Sequence, residues 1–132
     1  MNINEIIATL CGTNDQPGTT ANALPEPDKR TLNEWVARRL DPKNERRWFT
    51  PVRYGNGAPR EGVRDYIGSD FTFRENAHWL EVWLESEGCM ILSGGGMTTI
   101  EGPLINETDV QFTVQHPDHN TALILAVWEV GK

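Results

Sequence analysis

The chain has 132 residues, 38% hydrophobic and 23% charged, with 12 Lys and Arg against 19 Asp and Glu and a net charge of −7. A chain this long can bury roughly two thirds of its unfolded surface in one core, so a single soluble domain over 1–132 is expected without a stapling metal or disulfide framework. The opening Met-Asn-Ile-Asn-Glu lacks a basic then apolar leader pattern, and nowhere do 18 apolar residues run together, which argues against export and membrane spanning and for a cytoplasmic protein.

Ile3, Ile6, Ile7 and Leu10 recur at helical spacing, with Asn2 placed to cap, Glu5 three residues later and Gly12 just past the end. This predicts a short amphipathic helix. Residues 12–27 hold three prolines and two glycines without apolar periodicity, a connection long enough to make 1–27 a mobile N-terminal arm and 28–132 the compact α+β core. A second helix is predicted from Asp28, with a capping box at Thr31 and Glu34 and an apolar stripe of Leu32, Trp35, Val36 and Leu40, ending at Asp41-Pro42. Residues 43–62 read as irregular, punctuated by Gly-Asn-Gly and two prolines.

From Val63 onward the period reads as two, giving candidate strands at 63–73, 78–85, 88–93, 97–101, 109–115 and 121–130. The expected fold class is α+β: one or two N-terminal helices packed on a curved, mostly antiparallel five- to six-stranded meander sheet. Read as a strand, 78–85 places Leu80, Val82 and Leu84 toward the core and Trp79, Glu81, Trp83 and Glu85 on the opposite face. The segment 121–130 is apolar on both faces, which calls for cover on two sides and makes a homo-oligomer an expectation.

Charge is unevenly distributed. Residues 1–27 sum to −3, residues 28–66 to +4 and residues 67–132 to −8. Such asymmetry bears on partners rather than on fold. In the basic middle, Arg46, Arg47, Trp48, Arg53 and Tyr54 interleave cations with rings, a composition that suits single-stranded nucleic acid. The overall negative charge opposes a polyanion, so nucleic acid is not the expected partner.

Motifs for catalysis are weak. His116-Pro117-Asp118-His119, with Asp109 or Glu107 nearby, has metal-ligand residue types, yet Pro-Asp is ordinary turn chemistry, and no metal or cofactor is expected. Gly94-Gly95-Gly96 lacks the lysine of a phosphate-binding loop and reads as a hairpin turn. Ser93 sits in a turn without a nucleophile elbow, and Cys89 beside Met90-Ile91-Leu92 reads as an inert thiol. No catalytic residue is assigned. The leading expectation is a non-enzymatic acidic protein that masks a basic protein surface in the manner of an immunity protein or a phage or mobile-element inhibitor. Trp79 and Trp83 would be anchors, and Glu81, Glu85 and Glu87 would steer. Two alternatives stand beside it: a small-molecule enzyme or ligand-binding protein with a helix–sheet pocket holding His78 and a glutamate, and an oligomeric assembly protein of a mobile element.

Overall fold

The N-terminal helix forms where its pattern places it. In a computed structural model that describes residues 1–12, 18–43, 45, 50–54, 58–64, 70–105 and 109–131 (backbone alone at 50–54, 58–64 and 104–105), α1 spans Ile3–Cys11. The Asn2 side chain accepts a hydrogen bond from the Glu5 N–H at 2.9 Å, and Gly12 ends the helix at φ 68°, a left-handed conformation that favours glycine. Ile6, Ile7 and Leu10 are buried. Helix α1, part of the segment set apart above as an arm, thus contributes three large side chains to the common core. Farther along, Ala21 and Leu24 are buried too, and the Ala21 N–H donates to the Thr121 hydroxyl at 2.8 Å.

Helix α2 runs Glu26–Leu40, starting two residues before Asp28 because Pro25 at the cap and Pro27 in the first turn have the fixed φ that a helix start needs. Leu32, Val36 and Ala37 form its buried stripe, and Trp35 lies half-buried against Trp128, ring centroids 5.2 Å apart. The middle of the chain carries an antiparallel ribbon of β1 (Thr50–Tyr54) and β2 (Ala58–Arg64), in which Arg53 is paired with Pro59 and Tyr54 with Ala58.

Two segments expected to be strands are helices. Ala77–Ser86 is α3 and His119–Val130 is α4. In α3 the buried positions Ala77, Leu80 and Leu84 follow i, i+3, i+7, a helical stripe that also passes for alternation when tryptophans fill the intervening sites. In α4 every residue from Asn120 to Val127 is buried, and a helix buried all round has no period to read. This also supplies the cover that 121–130 required, from within the chain: α4 packs against α1, α2, α3 and two strands of the sheet.

That sheet is three-stranded and antiparallel rather than a five- to six-stranded meander, ordered β3 (Met90–Gly94), β4 (Met97–Glu101), β7 (Thr113–His116). A second ribbon, β5 (Leu104–Ile105) with β6 (Asp109–Val110), interrupts the path from β4 to β7. Of the segment 63–73, Val63 and Arg64 end β2, residues 65–69 lie outside the described residues and 70–73 are not strand; 109–115 is divided between β6 and β7. Ile100 and Val114 face the helices, while Met90, Leu92 and Met97 on the other face are exposed. The architecture is α+β, with helices on one face of a short antiparallel sheet.

Residues 70–76 cross to α3 as a strap held by buried amides. The Asn33 side chain donates to Asp70 Oδ1 at 2.9 Å and accepts from the Phe71 N–H at 2.8 Å. Asn120 Nδ2 donates to the carbonyls of Phe71 and Phe73 at 3.1 and 2.6 Å, and Asn76 Nδ2 to that of Asp70 at 2.8 Å. These bonds add to the backbone bonds from the Phe73 N–H to the Asp70 carbonyl and from the Asn76 N–H to the Phe73 carbonyl, both 3.2 Å, beside the fully buried Phe71. Among the described residues, no helix is long and apolar enough to cross a membrane.

Candidate functional site

Helix α4 begins at Asp118, whose Oδ2 accepts from the Thr121 N–H at 3.0 Å and from the Thr121 hydroxyl at 2.6 Å. This N-cap places His119 at the first helical position. The imidazole meets α3 on one side and the sheet on the other. Glu81 Oε1 lies 2.7 Å from His119 Nε2; Thr98 Oγ1 and Ser93 Oγ lie 3.0 and 3.3 Å from Nδ1. Ser93 and Thr98 are cross-strand partners on β3 and β4, their hydroxyls 3.5 Å apart, which is why one nitrogen meets both.

The chemistry of this chain of contacts follows from what each group can do. A carboxylate only accepts, so Glu81 holds the proton on Nε2. In the neutral imidazole, Nδ1 is then the acceptor, with one lone pair that either hydroxyl can meet by donating its O–H. This is the nucleophile–base–orienter arrangement of hydroxyl activation, with the roles of the two ring nitrogens set by the carboxylate. The His119 and Glu81 side chains are 33% and 35% exposed; a contact so open to solvent adds little stability and acts mainly as an orienter. Thr98 is buried whereas Ser93 is exposed.

An open groove of about 370 Å³ lies against these groups, lined by Arg74, Ser93, Gly96, Thr98 and His119 among others. Gly95 and Gly96 make the two-residue turn between β3 and β4, with φ of 62° and 76°, the pair of positive values that a type I′ hairpin requires. Nothing lies within 4 Å of where a Cβ would stand at either glycine, so this wall is open. Arg74 is exposed and forms no salt bridge among the described residues.

The residues singled out from sequence are partly regrouped. Because α3 is a helix, Trp79 and Trp83 share one flank, both half-buried against the core, while Glu81 and Glu85 share the other; they do not form one alternating face. Arg39 stacks over Trp83 with its guanidinium carbon 5.9 Å from the ring centroid. Glu85 and Glu87 are exposed. His78 is exposed beside Trp79, outside the groove. His116 and His119 do not converge: His116 is buried and its Nδ1 accepts from the Asp118 N–H at 2.9 Å. Its Nε2 has no hydrogen-bond partner among the described residues. Among those residues, no three His, Cys, Asp or Glu side chains are grouped to hold a metal. Arg46, Arg47, Trp48 and Glu107 lie outside the described residues, and Arg53 and Tyr54 are placed only by their strand register.

The Cys89 thiol is raised above its ordinary pKa, first by burial and second by the charge of Glu87, which keeps it protonated and unreactive near neutrality. Comparison with models of protein families, with curated proteins and with solved structures finds no match.

Proposed function

We propose that the chain is a small-molecule enzyme whose working part is the groove between the β3–β4 hairpin and the start of α4, with His119 as general base. The observation that carries this reading is the continuous contact from Glu81 through His119 to the hydroxyls of Thr98 and Ser93, ending at an open groove. A histidine serving only to tie a helix to a sheet needs one partner; this one is oriented on Nε2 and presents Nδ1 to two hydroxyls, one of them at the surface. General-base catalysis by a positioned imidazole contributes about 10²- to 10⁴-fold to a rate. The test is ligand binding followed by NMR, using a set of small carbonyl and hydroxyl compounds. Shifts concentrated at Ser93–Thr98 and His119, and lost in His119→Gln, support the reading. Shifts elsewhere, or none, refute it.

A second reading keeps the acidic partner-binding role. The exposed Glu85 and Glu87 and the 46% exposed Val82 on α3 favour it, with Trp79 and Trp83 as half-buried flanking anchors for a basic protein. Trp83→Ala then weakens capture of such a partner by about 2 kcal/mol or more while the domain still melts cooperatively. Loss of the cooperative melt assigns Trp83 to the core and ends this reading.

A further inference from the structure

The two hydroxyls at Nδ1 are not equivalent, and the difference divides their work. Thr98 is 4% exposed and is the nearer, at 3.0 Å, so it offers little surface to a substrate. Ser93 is exposed, stands 3.3 Å from the same nitrogen and lines the groove. We propose that Ser93 is a covalent nucleophile for acyl transfer, with His119 its base, Thr98 and Glu81 positioning residues, and small activated esters the substrate class. This deepens the reading above and rests on it.

The step balances without a redox partner or metal. As Ser93 Oγ bonds to the acyl carbon, its proton passes to His119 Nδ1, and the carbonyl oxygen becomes an oxyanion. When the tetrahedral adduct collapses, the bond to the leaving oxygen breaks and that oxygen takes the proton from Nδ1. Water then repeats the sequence in reverse: it gives a proton to Nδ1, its oxygen bonds to the acyl carbon, the Oγ–C bond breaks, and Ser93 recovers its proton. The groove offers two groups that stabilise negative charge, the Arg74 guanidinium and the Gly96 N–H, which donates no backbone hydrogen bond among the described residues. The open hairpin turn lets a small acyl group approach, because neither Gly95 nor Gly96 presents a side chain.

The experiment uses the full chain and p-nitrophenyl acetate, read by intact mass and by peptide mapping. The expected result is a single acetyl group on the peptide containing Ser93, absent in Ser93→Ala, and formed at least 100-fold more slowly in His119→Gln. Thr98→Val slows labelling about tenfold and Thr98→Ser restores it, which a merely structural threonine would not show if both variants melt with the parent. Acetylation confined to amines, or labelling unchanged in Ser93→Ala, overturns the proposal. Compounds that still perturb Ser93–Thr98 and His119 by NMR in that case leave the groove reading standing and remove only the nucleophile. Absence of both signals removes both.

Discussion

Replacing Asn120 tests how the strap before α3 is held. Its side chain is almost wholly buried and donates to two carbonyls, that of Phe71 in a buried setting and that of Phe73 in a half-buried one. In Asn120→Ala both carbonyls lose this donor, while that of Phe73 keeps the Asn76 N–H at 3.2 Å; a lost hydrogen bond costs about 0.5–1.5 kcal/mol. Taking about 1.5 kcal/mol at buried Phe71 and about 0.5 kcal/mol at Phe73, which keeps a backbone donor, the expected loss is about 2 kcal/mol. With a urea slope of about 2 kcal/mol per molar, the midpoint falls by about 1 M, read from tryptophan fluorescence. Asn120→Asp is expected to lose more at neutral pH, because it faces a buried carboxylate toward two carbonyl oxygens, and to regain part of the loss as acid supplies it a proton to donate. A midpoint change below about 0.3 M for Asn120→Ala, or an Asn120→Asp variant as stable as Asn120→Ala at neutral pH, would refute the reasoning.

Ile6→Ala is expected to cost about 2–5 kcal/mol by calorimetry, since Ile6 is fully buried in the shared core; a detachable arm would show almost no change. Gly102→Ala is expected to lose about 1–3 kcal/mol, because its Cβ would stand 2.5 and 2.6 Å from two ring carbons of Phe112; a parental thermal midpoint would contradict that packing. Exposed Cys11 is expected to be alkylated by iodoacetamide well before buried Cys89. Because the folded Cys89 pKa is raised, its contribution to stability is whole below the unfolded thiol's pKa and is lost as pH climbs toward the folded value. Cys89→Ser should flatten the alkaline decline in urea midpoint, and an unchanged decline would count against it.

What could be read in advance was local. The Asn2 cap, the Ile-Ile-Leu stripe and the Gly12 stop of α1 all act within nine or ten residues, and each is present in the structure. The two-residue turn at Gly95-Gly96 and its flanking strands are equally local. The errors come where burial removes the period. Helix α4 is buried on every side, so its apolar run carries no amphipathic signal, and only Asp118 ahead of it marked a helix start. The site was less legible still. Glu81, Ser93, Thr98 and His119 come from two helices and two strands, and no spacing links a carboxylate to an imidazole 38 residues away. His119 had drawn notice for the wrong neighbour, His116, whose ring turns into the core.

The same cap that starts α4 also aims the imidazole, which lets stability and chemistry be separated at Asp118. Its carboxylate accepts from the Thr121 N–H and hydroxyl, and the Thr121 oxygen in turn accepts from Ala21, so the cap ties the N-terminal segment to the helix as well. Asp118→Asn keeps an oxygen that accepts both bonds, and the expected cost is a few tenths of a kcal/mol, with Ser93 acetylated at nearly the parental rate. Asp118→Ala loses both, costs about 1–2 kcal/mol and lets the first turn fray. His119 is in that turn, so Ser93 labelling should fall about tenfold at temperatures where the domain is still folded. If labelling in Asp118→Ala instead tracks only the folded fraction, the imidazole is held by Glu81 and Thr98 alone, and the cap has no part in the site.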